Sequence, residues 1–375
     1  MKLFEFQGKE LFKEYGIPIQ SGRLLTSPEE SLEALTPPMV IKSQVLTGGR
    51  GKAGGIKIWE GNDDLHGIVD RMFKLSIKGE QVNAVLALNS VDILKELYIA
   101  ITFNKSDSTC VLIAGASGGV DIEKHALDDE QTMSVIPFNS LLGLSEYQIR
   151  MAAKTLSIDD YATFRSIVLG MYGIFKDYDA VLVEINPLAV TPDGLVAIDS
   201  KIEIDSQSYF RNEGKIRRFA DEVFQLTGTD VFAAVEDTIT YVPLSGNIGL
   251  VSDGAGTGML TVDLVTQFGG TIANFCELGG ITNEEIVYKA LTKAAAGEGV
   301  EKMLVVLIGG FNRMDHMAEG IVKFSKENTK KIPLYIRMCG TLEDVGRRIM
   351  QEHHISIYEN LHDAVKSAVE AEMEK

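Results

Sequence analysis

The chain is poor in cysteine, short of positive charge and free of long apolar runs. Its three cysteines, Cys110, Cys276 and Cys339, are odd in number, widely separated and without metal-type spacing. That excludes a disulfide framework and fits reduced thiols in a reducing compartment, as core or loop residues. Only 36 Lys and Arg stand against 53 Asp and Glu, a formal charge of -17 at pH 7. No broad basic surface can be assembled from that balance, so nucleic acid and anionic membrane are excluded as partners. Any phosphate ligand must meet local cations. No apolar stretch approaches the length of a transmembrane helix, and the opening MKLFEFQGKE has neither the apolar core nor the cleavage pattern of a signal peptide. The expectation is a soluble, cytoplasmic protein. At 375 residues, 45% of them hydrophobic, the chain is too long for one ordinary core, and two or three domains are expected.

Residues 3–15 carry apolar side chains at helical spacing and end at Gly16, with Pro18 just beyond, which predicts a helix and its stop. Strand-like runs follow at 39–45, 82–88, 97–103 and 110–114. Residues 145–175 read as mainly helical, without an internal proline, and lead into the apolar run 180–185. The charged stretch 215–240 also reads as helical, and Pro243 with Gly246 marks a break. The domain boundary is expected near residue 238, giving domains 1–238 and 239–375. Beyond it, strand-like runs at 248–252, 303–308 and 334–336 each lead into glycines and a helical segment, the pattern of an α/β doubly wound parallel sheet. Ligands of such sheets gather outside the carboxyl ends of the strands. The first loop, Asp253-Gly254-Ala255-Gly256-Thr257-Gly258, is a partial dinucleotide fingerprint. No acidic ribose partner stands at the expected distance, so close helix–strand packing is the better account of its glycines.

Two segments carry chemistry. Residues 40–55 read VIKSQVLTGGRGKAGG, a β-rich run with Lys42 and then a glycine-and-cation loop centred on Arg50, a make-up that suits polyphosphate. A glycine-rich hairpin with surface lysines would look similar. Residues 182–201 read LVEINPLAVTPDGLVAIDSK, in which Thr191-Pro192-Asp193-Gly194 has the residues of a tight turn between two apolar strands. Folding back about that turn brings Asn186 and Asp199 opposite, or within about one residue of, each other. An amide oxygen and a carboxylate so placed suit one magnesium ion, whose other positions go to water and phosphate oxygens. Glu184 lies on the same face. The bland alternative is an exposed hairpin in which Glu184 pairs with Lys201 and Asn186 caps the bend before Pro187.

Taken together, FEFQGKELFKEYGIPI, VIKSQVLTGGRGKAGG, ILKELYIA, SGGVDIEK, VEINPLAV and GNIGLVSDGAG, in this order, resemble the β subunit of succinate-CoA ligase (succinyl-CoA synthetase) nearly end to end. The resemblance implies an N-terminal ATP-grasp domain followed by a flavodoxin-like CoA-ligase domain. It implies that Lys42 and the backbone at Gly49, Arg50 and Gly51 hold the phosphates of ATP or GTP, that Leu88, Val91 and Glu96 line the nucleotide pocket, and that Asn186 and Asp199 coordinate Mg2+. It further implies that Asp253, Gly310, Phe311 and Asn312 meet a small carboxylic acid, and that Arg50 and Glu184 serve the transfer, Glu184 by orienting a phosphohistidine loop. That histidine, and the CoA site, belong to an α-subunit partner. None of His66, His125, His316, His353, His354 and His362 follows the matching motif, and they are expected to be surface or core residues.

Three departures bear on substrate choice. Leu88 stands where the family usually has a glutamate and cannot accept a hydrogen bond. Asp253 replaces an asparagine in the acid loop, and Gly309-Gly310-Phe311-Asn312 replaces a GGIV-like stretch. A fixed charge beside a dicarboxylate repels it unless the aspartate is protonated or paired, so an acid other than plain succinate is expected, one with an amino, hydroxyl or bulkier group. Gln20 stands where guanine-nucleotide members tend to carry glutamine and adenine-nucleotide members proline. A malate-CoA ligase-type enzyme and a non-catalytic nucleotide-binding subunit remain open alternatives.

Overall fold

The structure, a computed structural model, describes residues 1–104, 106–118, 133–232, 239–280 and 282–371. The chain divides into two compact units, Met1–Phe232 and Ala233–Lys375. The boundary expected near residue 238 falls in 233–238, outside the described residues, as do His125 and the SGGVDIEK motif from residue 119 on.

The first unit opens with α1 (Glu5–Glu14), which stops at Gly16 in the left-handed conformation, φ 72°. Next come β1 (Gly22–Leu25), β2 (Met39–Ser43), β3 (Ile56–Trp59), α2 (Leu65–Phe73), the short pair β4 (Ser76–Ile77) and β5 (Glu80–Gln81), and β6 (Val85–Asn89). Four of these strands form an antiparallel sheet in the order β1-β6-β2-β3. Its alternating side chains sort onto two faces. Met39, Ile41, Val85 and Ala87 pack with Leu65, Ile68, Val69 and Met72 of α2. On the opposite face Leu86 and Leu88 pack with Phe4, Phe6 and Val223. Lys42 pairs across the ladder with Leu86 and so shares that second face.

The second sheet of this unit contains β7 (Lys95–Phe103), β8 (Cys110–Gly115), β9 (Met133–Phe138), β10 (Ala180–Thr191), β11 (Gly194–Ala197) and β12 (Lys201–Ile204), ordered β11-β10-β7-β8-β9 with β12 also on β10. Helices α3 (Glu146–Leu156), α4 (Tyr161–Asp177) and α5 (Tyr209–Thr227) bury one core with it, around Phe12, Phe164, Ile167 and Phe219. Residues 145–175 are mainly helical, as expected, and the expectation for 215–240 is corrected. Residues 145–175 form two helices because Ser157 turns left-handed at φ 56° and Asp160 caps a new start by accepting from the Thr163 N–H. The helix expected over 215–240 ends at Gly228, φ 72°, where only glycine takes the turn without strain.

The second unit contains β13 (Thr240–Pro243), β14 (Ile248–Ser252), α6 (Ala255–Gln267), β15 (Ile272–Glu277), α7 (Glu284–Ala295), β16 (Lys302–Gly309), α8 (Met314–Glu327), β17 (Leu334–Gly340), α9 (Glu343–Glu352) and α10 (Leu361–Glu370). Its sheet runs β13-β15-β14-β16-β17, parallel throughout except for the antiparallel edge strand β13. Val265, Ala364 and Val365 of α6 and α10 cover one face; Val287, Leu291, Met317 and Ile321 of α7 and α8 cover the other. This is the doubly wound α/β sheet expected from the sequence. β15 was not among the strands read from it. Among the described residues, no helix is long and apolar enough to cross a membrane.

Candidate functional site

The ribbon built by β10, β11 and β12 keeps one register through an interruption. Glu184 pairs with Lys201 on one side and Leu188 with Ala197 on the other, so Asn186 and Asp199 fall at one and the same pairing position between them. The Ile198 N–H still donates to the Pro187 carbonyl at 3.1 Å, after which residues 198–200 leave the ladder. On its other edge β10 shifts register against β7 between Ile185 and Leu188. A bulge of this kind re-aims side chains and recurs beside active sites. The turn is as expected, with Thr191 paired to Gly194 and Gly194 at φ 123°.

Cations from other elements hold the interruption. Lys9 of α1 donates to the Ala197 carbonyl at 3.0 Å and Lys42 of β2 to the Ile198 carbonyl at 2.9 Å. The Ser200 hydroxyl donates to the Glu5 carbonyl at 2.9 Å. α1 lies against the ribbon because Gly8 has no side chain: a Cβ there would sit 2.4 Å from Ser200 Oγ. Arg50 then joins the two predicted segments directly. Its guanidinium lies 2.5 Å from Asp199 Oδ2 and 2.5 Å from Glu5 Oε2, while Glu5 Oε1 takes Lys42 Nζ at 2.8 Å.

Glu5, Lys9 and Lys42 are all nearly inaccessible, at 3%, 4% and 4% of their surface, so their charges interact in a medium that screens them little. Burial alone would raise the Glu5 carboxyl, but the Lys42 ammonium and Arg50 guanidinium outweigh it and hold it well below the usual carboxylate range. Burial pushes Lys9 down to about 8 against the pull of Glu5. Burial would lower Arg50, yet Asp199 and Glu5 raise it, so it stays charged. Three cations against two carboxylates leave one net positive charge, suited to phosphate oxygens.

The remaining expected residues spread around this centre. Gly49, at φ 94°, and Gly51 are exposed on the loop between β2 and β3, which closes through the Gly55 N–H donating to the Arg50 carbonyl at 2.8 Å. Glu184 accepts from the Tyr98 hydroxyl at 3.1 Å and lies 4.0 Å from Lys201, so the pairing of the bland reading is present without excluding the other. Leu88 is buried against Phe4 and Phe6. Val91 is half-buried between β6 and β7, and Glu96 is exposed on β7. Gln20 is buried and its Nε2 donates to the Asn89 carbonyl at 2.8 Å. Of the described histidines, His66, His353, His354 and His362 are exposed and His316 is half-buried.

Sequence reasoning missed Glu5 and Lys9. The signal was present: in a helix over EFQGKELF, positions 5, 8, 9 and 12 share one face, so both charges stand on the side that carries Gly8 and Phe12 into the core.

Oxygen donors at one ribbon position fit Mg2+ shared with phosphate, since this ion takes one or two protein carboxyl or amide oxygens and fills its octahedron from water and phosphate. Among the described residues, no cluster of three His, Cys, Asp or Glu could cage a metal on its own.

In the second unit three strand ends converge, as expected for this topology. Asp253, just past β14, accepts the Ile308 N–H of β16 at 2.8 Å. Gly309 and Gly340 approach so closely that a Cβ on Gly340 would lie 2.1 Å from the Gly309 carbonyl oxygen. The Thr341 hydroxyl donates to the Gly310 carbonyl at 3.0 Å. Phe311 is fully exposed and Asn312 half-buried. Burial raises the Asp253 carboxyl, and the Ile308 N–H partly offsets it. Gly258 packs α6 on the sheet, where a Cβ would meet Phe275 and Ser252 at 2.5 Å, so close packing accounts for this glycine; it does not account for Gly254 and Gly256, around which a Cβ would have open space.

The same two-part organisation appears in comparison with known proteins. The ATP-grasp domain family matches residues 2–190 and the CoA-ligase family residues 251–372. The chain is 37% identical over 383 residues to the β subunit of the ADP-forming succinate–CoA ligase of Aquifex aeolicus, covering 99% of this chain and 98% of that one. It is 38% identical over 376 residues to the corresponding subunit of Desulfurococcus amylolyticus, covering 97% of each. Its fold is similar to that of the ATP citrate lyase of Methanothrix soehngenii, solved with citrate and coenzyme A, at TM-score 0.67 and 18% identity over 99% of both chains. With an ATP-grasp part ahead of a CoA-ligase part along nearly its whole length, the chain belongs to the succinate–CoA ligase β-subunit family.

Proposed function

We propose that this chain is the nucleotide-binding subunit of an ADP-forming acid-thiol ligase that makes an acyl-CoA from succinate or a related acid. The observation that carries the reading is the Arg50–Asp199 contact of 2.5 Å, which makes the cationic glycine loop and the Asn186/Asp199 ribbon one site. Lys42, Arg50 and the backbone at Gly49 and Gly51 hold the nucleotide phosphates. Leu88, Val91 and Glu96 line the pocket for the rest of the nucleotide, and Glu184 orients the phosphohistidine loop of an α-subunit partner. Asn186 and Asp199 would hold Mg2+, which when bound neutralises phosphate charge as the phosphoryl group moves.

In the synthetic direction the γ-phosphoryl group passes from ATP to the partner's histidine, leaving ADP, and from the histidine to a carboxylate of the acid. The sulfur of CoA then attacks the acyl phosphate, forming the thioester and expelling phosphate. This chain's residues supply positioning and charge rather than a covalent bond, in keeping with how phosphoryl transfer is accelerated. Asp253, Gly310, Phe311 and Asn312 meet the acid at the strand ends of the second unit, where backbone N–H groups at helix starts favour an anion. A cytoplasmic location accords with three free cysteines.

The test is isotope exchange between ADP and ATP by the chain co-expressed with its α partner in the presence of magnesium, followed by thioester formation from succinate, malate and related acids with ATP and GTP in parallel. Exchange with thioester formation is expected. Tight nucleotide binding without exchange supports a non-catalytic subunit instead.

A further inference from the structure

We propose that Glu5 is a positioning residue for phosphoryl transfer, fixing Lys42 and Arg50 relative to each other and to the Asp199 ribbon. The proposal rests on the nucleotide reading above. Each carboxylate oxygen of Glu5 takes a different cation, Oε1 the Lys42 ammonium at 2.8 Å and Oε2 the Arg50 guanidinium at 2.5 Å, so one rigid group sets the separation of two charges that come from a strand and a loop. The same residue's carbonyl accepts from Ser200, next to Asp199, which ties the cations to the ribbon through one helix start. That start suits an anion, because the first turn of α1 presents the positive end of its dipole.

Stability does not account for the arrangement. A buried acid between buried bases is a weak stabiliser compared with well-packed apolar side chains. Counter-charge accounts for one oxygen only: with Asp199 on Arg50, charge balance asks Glu5 to partner Lys42 and does not require its second bond to Arg50. What two-oxygen bridging adds is preorganisation: cations held in place need not be recruited as charge moves in the transition state.

Glu5→Gln and Glu5→Asp separate these roles. The amide offers one acceptor oxygen and turns an NH2 toward the second cation; the aspartate keeps the charge but is a methylene short of bridging both. In both variants kcat of the complex is expected to fall about 100-fold, the scale of a displacement near 1 Å. The dissociation constant of the full-length chain for the magnesium nucleotide, measured by calorimetry, is expected to stay at or below the wild-type value, because neither variant removes positive charge from the cradle. A wild-type kcat in either variant overturns the proposal, as does nucleotide affinity lost in step with kcat. Should Glu5→Gln be too unstable to purify, Glu5→Asp carries the test alone. Absence of nucleotide binding and exchange in the wild type overturns the nucleotide reading itself; wild-type activity with unaffected variants removes only the role of Glu5.

Discussion

Arg50 and Asp199, 149 positions apart in the chain, form an ion pair of 2.5 Å whose side chains are only 12% and 26% exposed. The cation proposed to hold phosphate and the acid proposed to hold metal are thus each other's partners, and a ligand for one is expected to free the other.

Magnesium binding is therefore expected to be weak in the absence of nucleotide and strengthened by it, and linkage requires the reverse as well. Arg50→Gln releases Asp199, so the variant is expected to bind Mg2+ alone more tightly than the wild type. The same change removes a charged contact to phosphate worth about 2 kcal/mol, roughly 30-fold in nucleotide Kd. Calorimetric titration of both proteins with MgCl2, with and without nucleotide, reads both effects. Equal Mg2+ affinity in the two proteins would count against the competition.

Gly8 is the point where helix and ribbon meet. Gly8→Ala should gain about 1 kcal/mol of helix propensity at an ordinary site. Here its Cβ would lie 2.4 Å from Ser200 Oγ and 3.0 Å from Ser200 Cβ, and overpacking of this kind costs about 1–3 kcal/mol. A net loss of stability is expected in urea denaturation, and adding Ser200→Gly should recover most of it. Additive effects of the two changes would show that the contact does not set the packing.

Much of this was legible in the residues. The tight-turn chemistry at 191–194 placed Asn186 opposite Asp199 or within about one residue of it, since hairpin pairing follows from the turn. The glycines after β14, β16 and β17 marked the strand ends where the second unit's loops converge. Glu5 and Lys9 were hidden for a physical reason: the helical period puts them on the side of Gly8 and Phe12, but a charged residue is ordinarily assigned to solvent whatever its period, and only the tertiary neighbours Lys42, Arg50 and Ala197 make their burial tolerable. The break at 157–160 was equally hidden, because Ser157 takes a left-handed conformation that sequence pattern does not announce.

Lys9 predicts a pH dependence of folding. Burial lowers it from 10.5 to about 8, so between those values the native state sheds a proton that the unfolded chain keeps. More protons on the unfolded state means that stability from this group rises with pH across the window, by up to about 1.4 kcal/mol per pH unit. Below about 8 both states carry the charge and the slope vanishes. Lys9→Met is expected to remove this rise, read as the difference between wild-type and variant urea midpoints across the window. A parallel pH profile in the two proteins would show that Lys9 does not titrate on folding.

Asp253 is where acid choice is most open to test. The residue is 8% exposed and its carboxylate accepts the Ile308 N–H, a bond that an amide oxygen can keep, so Asp253→Asn should fold. Burial raises the native carboxyl above its ordinary 3.8, so the native state holds a proton longer than the unfolded chain and the group's contribution to stability falls as pH rises through the raised value. Asp253→Asn should therefore be the more stable protein at neutral pH, with the difference closing in acid. At the strand ends the same change removes a negative charge from the proposed acid site. The KM for succinate is expected to drop about tenfold, equivalent to 1.4 kcal/mol of relieved repulsion, while acids bearing an amino or hydroxyl group lose their advantage. The measurement is thioester formation across a panel of acids by the co-expressed complex. An unaltered ranking with an unaltered succinate KM would leave Asp253 as a staple between β14 and β16 and move acid selection to Phe311 and Asn312.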